Sequence, residues 1–405
     1  MAAGSFKKVK GRQAVKEAVK EAVKRCFKKL DYLILLIMTI LIGIGVYCSR
    51  QAFIGSDDYK SIFIKQLAGV FIGYVFIIVI IFIDYHIICN LSALLYIAMN
   101  LLLAVTLLFG SGVNNVNRWI IIFGIPFQPS ELTKVVLILF LAFLCNHFKD
   151  KLNKLYVLFL LFIAAAIPMA LIVLEPHLSS GLSILFIFIV MVYSSGISYK
   201  VIGKALALVV PLAAVILASV YLFKIDIPFI KQYQVNRVLS FLSSEESDSQ
   251  DGDYQQLQSI GAIGSGGLHG KMISSEKDKD RAYSRIYAKE SDFVFAIVGE
   301  EFGFIGGFFI ILLYVVLIIK CLIISSHAPD YTGKLIGIGV SAYLMFQIFM
   351  NIGVATKLLP NTGLPLPFIS YGLTSLISSM AAVGLVLNIG IRQKSKSTDT
   401  IKLPI

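Results

Sequence analysis

Charged side chains are scarce in this sequence. Asp, Glu, Lys and Arg make up 15% of its 405 residues, against roughly 25% in soluble globular proteins. That shortage excludes a soluble enzyme. With 57% of residues apolar, it also excludes a disordered chain or a secreted disulfide scaffold. Cysteine is sparse: Cys26, Cys48, Cys89, Cys145 and Cys321 are odd in number, scattered, and form no CxxC pair. Neither a disulfide framework nor a zinc site follows from them. No cleavable signal is expected, because the first apolar run begins near Leu33, is too long, and precedes no small-residue cleavage site. Tryptophan occurs once, at Trp119.

What the chain does contain is long apolar runs, and its mean hydropathy is +0.83. A membrane-spanning helix needs about 20 apolar residues. Runs at 32–49, 66–84, 91–110, 131–147, 155–174, 179–196, 202–223, 292–320, 335–355 and 369–391 predict ten spans, hence an all-α polytopic membrane protein. Lys149, Lys151 and Lys154, Lys200 and Lys204, Lys320 and Lys334, and Arg392, Lys394 and Lys396 fall in loops on one side of this arrangement. The positive-inside rule makes that side cytoplasmic and puts both termini there. Loops 50–65, 111–130, 175–178, 224–291 and 356–368 then face out.

Net charge is +12, and residues 1–30 hold ten Lys/Arg and two Glu. The excess is therefore local and does not point to nucleic acid. The expected organisation is a basic amphipathic segment at 1–31, a ten-helix domain at 32–393 and a short tail at 394–405. The basic helix fits either the lipid of the inner leaflet or a solvated tail. Loop 224–291, between spans seven and eight, is unusually long. Its Ser243–Asp253 stretch is polar. Its glycine-rich stretch IGSGGLHG (263–270) serves either as close backbone approach to a ligand at Gly264, Gly266 and Gly267 or as a plain reversal.

Ionisable residues at membrane depth are candidates for function, and four outer groups stand out. In NRWIIIFGIPFQPSELTK (117–134), Pro129 suits a first helical turn, with Ser130 and Glu131 at its N-terminal end. Lys134 follows one turn later, and the Glu131–Lys134 pair serves either a site or the helix start. Trp119 suits an interfacial anchor. In LEPHLSSG (174–181), Glu175 and His177 mark the turn between spans five and six, and no second His or Cys stands at zinc spacing from His177. Asp292, after Glu290 and Ser291, is either an N-cap or a general base at the membrane surface. Glu300 and Glu301 lie two turns further in and need partners. Finally, LPNTGLPLPFISYG (359–372) is broken by three prolines and is expected to re-enter and frame a groove. Carboxylates among Lys65, Arg118 and Lys134 suit a lipid-linked anion. They suit a proton-coupled transporter equally well.

In order and wording these motifs resemble the SEDS family (shape, elongation, division and sporulation), the FtsW/RodA/SpoVE proteins. NRWI…FQPSELTK, EPHLSSG, YQVNRVLSF…GDYQQLQSIGAIGSGGLHG, ESDFVFAIVGEEFGFIG and LPNTGLPLPFISYG carry the likeness, which spans about 32–393. It implies a ten-helix fold similar to GT-C membrane glycosyltransferases. It also implies polymerisation of lipid II into β-1,4 glycan strands at the outer face of the bacterial cytoplasmic membrane, beside a class B penicillin-binding transpeptidase. Asp292 matches the family's essential Asp, Lys134 its QPSExxK lysine, and Lys65 its basic residue before the Gln that opens span two. The resemblance extends the substrate-binding set to Arg118, Trp119, Gln128, Ser130, Glu131, Glu175, His177, Ser370 and Tyr371.

The chain departs from the family pattern at His177 (commonly Asp), Pro126 (basic in some members) and Leu373 (commonly Gly). It also lacks Leu-Pro-Glu before the Asp motif, and Arg281 or Arg285 is a further candidate cation. The implied chemistry is attack by the acceptor's 4-hydroxyl on the anomeric carbon of a strand carried on undecaprenyl pyrophosphate, with inversion. A divalent cation, Mg2+ or Mn2+, would help the pyrophosphate leave, although the sequence offers no ligand cluster for it. A lipid II flippase and a non-catalytic scaffold for the transpeptidase are the alternatives.

Overall fold

The computed structural model describes residues 28–54, 59–110, 118–122, 125–175, 177–201, 203–204, 207, 251–272 and 281–393. Most of the basic segment, nearly all of the expected seventh span, the first part of the long loop and the tail from 394 lie outside the described residues.

The helices follow the apolar runs closely. They are α1 (Tyr32–Phe53), α2 (Tyr59–Phe82), the short α3 (Tyr85–Asn90), α4 (Ser92–Phe109), α5 (Pro129–His147), α6 (Leu155–Leu174) and α7 (Leu178–Ser194). After the long loop come α8 (Asp251–Ser265), α9 (Val294–Ser326), α10 (Tyr331–Ala355) and α11 (Leu373–Ile391). Among the described residues eight helices are long and apolar enough to cross a membrane, and α7 is a further apolar helix of 17 residues. Two features correct the expectation. A small antiparallel hairpin, β1 (Ile120–Ile122) and β2 (Ile125–Phe127), interrupts the all-α pattern, with Ile120 opposite Phe127. Helix α8 occupies part of what reads as loop.

Burial sorts the helices into layers. In α11, 89% of the most apolar window is buried, against 22% in α4. So α11 sits inside the bundle, and α4 turns most of its surface outward, with Leu108 and Phe109 fully in view. A helix apolar all round and exposed on most sides belongs in lipid. Helix α2 lies along α11 because Gly69 and Gly73 let its backbone close on Leu373 and Met380. At the far end of the same pair, the buried Asn388 amide donates to the carbonyls of Ile81 and Ile83 at 3.3 and 2.5 Å, satisfying acceptors that the end of α2 leaves open.

Helix α9 is broken. At 33 residues it would run roughly 50 Å if straight, but Gly303 adopts φ 66° and ψ −168° and divides it. Only glycine takes that conformation without strain. The freed groups are satisfied by the glycine-rich stretch. Lys271 and Met272 N–H donate to the carbonyls of Glu300 and Glu301 at 2.9 and 3.0 Å, and Phe304 and Ile305 N–H donate to Gly267 and Leu268 at 2.9 and 3.1 Å. Of the two readings of this stretch, the close backbone approach is seen at Gly266, and it is made to a helix. A Cβ at Gly266 would collide with the Gly299 carbonyl, whereas Gly264 meets nothing.

The paired carboxylates find partners in the same place. Glu300 accepts from Lys271 Nζ at 2.6 Å and from the N–H groups of Ala282 and Tyr283 at 3.0 and 2.9 Å. Glu301 pairs with Arg281 at 3.1 Å and accepts from the hydroxyls of Tyr47 and Tyr283. Both carboxylates are thus structural, and Arg281 is committed to Glu301 rather than offered as a spare cation.

The loops gather at two ends. At one, Lys29 reaches Gln393, Lys320 pairs with Asp31, Arg392 pairs with Asp84, and Tyr85 hydrogen-bonds Asp330. The four motif groups meet at the other.

Candidate active site

The site is built around the proline-rich segment 359–372, which crosses the end of the bundle without helix, buried at Leu364 and from Leu366 to Ser370 and half-buried elsewhere. Backbone at that depth must be satisfied by protein, and it is. Gln256 donates to Leu359 O at 2.8 Å, Ser179 to Thr362 O, Asn351 to Leu364 O at 2.7 Å and Tyr314 to Pro367 O. Gly363, at φ 68°, turns so tightly that a Cβ there would lie 3.0 Å from Asp292 Oδ2. The Asp292 carboxylate therefore rests against this turn, half-exposed at the head of α9.

Beside it opens a cavity of about 380 Å3 walled by Trp119, Ile121, Pro126, Glu290, Ser291, Tyr371, Gly372 and Leu373. That lies in the range of small-ligand pockets, roughly 300–1,000 Å3. Trp119 is thus part of a cavity wall rather than an outlying anchor. The tyrosine beside it packs edge-on against Phe53. Lys65 is half-buried on α2, one turn before the Gly69 that packs on Leu373, and helical geometry puts it toward that wall.

The rest of the expected set lies beneath the cavity. Pro129 opens α5 at its first turn, as the sequence predicts. Lys134 and Glu131 are both fully buried and joined at 2.7 Å. Glu131 also accepts from Gln347 at 3.1 Å, and Lys134 faces the Tyr343 ring at 5.5 Å. Ser130 is buried with its hydroxyl unpaired. Gln128 donates its backbone N–H to Thr374, and its amide lies 3.4 Å from His177 Nδ1. The His177 ring lies 3.4 Å from Ser180 on its other side. Burial, reinforced by Arg118 and Lys134, holds the imidazole well below its ordinary range, so it is neutral; a bond to the Gly363 backbone opposes this. Glu175 is 1% exposed with both carboxylate oxygens unpaired. Burial pushes it up to about 8, against the pull of Arg118, whose Nε donates to the Glu175 carbonyl at 3.2 Å.

Ser370, which the resemblance places in the substrate-binding set, donates its hydroxyl to Ser291 O at 2.6 Å and accepts from Leu366 N–H at 2.8 Å. It holds the loop before Asp292. Two residues escape the sequence reading, Gln347 and Asn351. They stand four apart within an otherwise apolar span, and that spacing of carboxamides was the available signal.

Fold and site define a class: a polytopic helical membrane protein with a half-exposed carboxylate beside a cavity at one end of the bundle. The chain belongs to the FtsW/RodA/SpoVE family, whose model, described as cell cycle protein, matches residues 29–395. It is similar to the stage V sporulation protein E of Bacillus subtilis, 32% identical over 89% of this chain and 96% of that one. It is similar to the peptidoglycan glycosyltransferase RodA of Treponema pallidum, 28% identical over 90% and 98%. Among solved structures it matches a chain of a peptidoglycan synthase complex that coordinates polymerization and crosslinking. There the identity is 25%, the coverage 89% of this chain and 97% of that one, and the TM-score 0.74. The rod shape determining protein RodA of Thermus thermophilus matches with 25% identity, 90% and 98% coverage and a TM-score of 0.63.

Proposed function

We propose that the chain is a peptidoglycan glycosyltransferase that joins lipid II disaccharides into β-1,4 glycan strands, with Asp292 as general base. The position of Asp292 carries this reading. Its carboxylate is half-exposed against the Gly363 turn, and Ser291, its neighbour, lines the cavity. The acceptor's GlcNAc 4-hydroxyl attacks the anomeric carbon of the strand. The new C–O bond forms as the bond to pyrophosphate breaks, and configuration inverts from α to β. Asp292 takes the hydroxyl proton, and the electron pair leaves on the undecaprenyl pyrophosphate.

Lys65 and Arg118 are the cations set to meet that charge, since preorganised positive groups stabilise charge as it develops. Lys134, buried and paired, acts from below by holding Glu131 and the head of α5. Among the described residues no three His, Cys, Asp or Glu side chains converge on a possible metal position. A Mg2+ or Mn2+ would therefore take one or two carboxylates together with the substrate's own phosphates as ligands.

Ten spans, the inner membrane of a bacterium, cytoplasmic ends at 1–31 and 394–405, and outward-facing motif loops complete the proposal, with a class B penicillin-binding transpeptidase as partner. Glu300 and Glu301, carboxylates within a span that a flippase could use to pass a head group, are instead engaged by Lys271 and Arg281.

The test is polymerisation of lipid II by the purified chain with its transpeptidase. Asp292→Ala is expected to lower the rate by about 10²–10⁴, the usual worth of general-base help, while the protein stays folded. Undiminished synthesis by Asp292→Ala would remove it as base. No synthesis by the unaltered pair would favour a scaffold or flippase.

A further inference from the structure

Three consecutive carbonyls lead into the site, and each is taken by a donor from another part of the fold. Glu290 O accepts from Tyr371 N–H at 2.8 Å and Ser291 O from the Ser370 hydroxyl at 2.6 Å. Asp292 O accepts from the Asn351 amide at 2.9 Å. Asn351, like Ser370, holds two main-chain groups at once, and it is the one that holds Asp292 itself. It is 1% exposed on α10, and its amide nitrogen also donates to Leu364 O at 2.7 Å. Leu364 follows Gly363, the residue against which the Asp292 carboxylate rests. One buried side chain therefore joins the backbone of Asp292 to the backbone of the turn that confines its carboxylate.

We propose that Asn351 is the positioning residue for Asp292, fixing where the carboxylate stands relative to the cavity without touching substrate. This rests on the reading of Asp292 as base. Asn351 has no proton to exchange, and its two donated bonds both end on main-chain carbonyls, so its influence passes through backbone placement. Catalytic geometry is steep in distance: a misplacement of about 1 Å can cost on the order of 10²-fold. Leucine has nearly the same size and shape but donates nothing. Asn351→Leu would release both carbonyls at once and let the Asp292 loop and the proline-rich segment slide apart.

The experiment is a cycle of Asn351→Leu and Asp292→Ala, singly and together, in the purified protein with its transpeptidase, reading kcat and KM for lipid II and the melting temperature. Asn351→Leu is expected to lower kcat at least tenfold with KM within about twofold of the unaltered protein. In the Asp292→Ala background the same change is expected to cost almost nothing, because residues acting as one unit do not add. An equal loss in both backgrounds would show a merely structural role and overturn the proposal, as would unchanged kcat in the single variant. Full activity in Asp292→Ala would instead overturn the base assignment, and this inference with it. Should Asn351→Leu fail to fold, Asn351→Ser, too short to reach the carbonyls of Asp292 and Leu364, is read through the same cycle.

Discussion

At the scale of single residues, the site is a set of buried polar groups with unequal satisfaction. Glu131 is met on both oxygens, by Lys134 and by Gln347, whereas among the described residues neither oxygen of Glu175 has a hydrogen-bond partner. A buried carboxyl without donors is costly to ionise. With its folded value raised to about 8, Glu175 binds a proton in the folded state that the unfolded chain has already lost above its ordinary range. Its contribution to stability is therefore complete at low pH and is lost as pH rises through about 8. Glu175→Gln is expected to flatten the fall in melting temperature between the ordinary carboxyl range and about pH 8, read by thermal unfolding in detergent. An unchanged slope would mean that the carboxyl is ionised and paired. The sequence shows that Glu175 and His177 share a turn. It does not show that one is left bare while the other is enclosed by Gln128 and Gly363 as well as its own neighbour Ser180, because Gln128 and Gly363 arrive from two other segments.

At the scale of elements, the informative one is α9. The apolar run predicts its existence, but the break at Gly303 is invisible there, since a glycine inside a helical pattern is common and usually harmless. What makes it a break is the stretch 267–272 filling the gap with donors and acceptors. Gly303→Ala is expected to destabilise the protein by at least about 1–3 kcal/mol, the cost of forcing a side chain into that conformation, with further loss because Leu268 and Gly270 leave no room for a Cβ. Thermal or denaturant unfolding reads the difference. Glu301→Ala leaves Arg281 without its buried partner, a change worth about 3–5 kcal/mol where both members are enclosed. Arg281 is 17% exposed, so a value toward the lower end is expected from the same unfolding measurement. Lys271→Ala is expected to cost less, because Lys271 is about one-third exposed and Glu300 keeps two backbone donors.

At the scale of the whole molecule, the two ends divide the labour. One end carries ion pairs among Asp31, Asp84, Lys320 and Arg392; the other carries the cavity and Asp292. The proposed sidedness is open to direct labelling. A thiol introduced as Tyr287→Cys, at a residue 72% exposed beside the site, is expected to react with a membrane-impermeant maleimide in intact cells. Lys151→Cys at the opposite end is expected to react only after permeabilisation. The reverse pattern would invert the topology and place the site in the cytoplasm.

The sequence alone determined the polytopic helical class and the apolar helices seen among the described residues, the helix start at Pro129, the pairing of Glu131 with Lys134 and the gathering of polar motifs at one end. Each is written in spacing along one chain: apolar length against membrane thickness, a proline at a first turn, opposite charges three residues apart. Only the tertiary structure decided that the glycine-rich stretch serves a broken helix, that Glu300 and Glu301 are anchors, that Ser370 straps a loop, and that Asn351 ties Asp292 to Gly363. These depend on contacts between residues tens to hundreds of positions apart. A polar side chain in a low-dielectric interior must find a partner, but which partner it finds is set by how the helices pack.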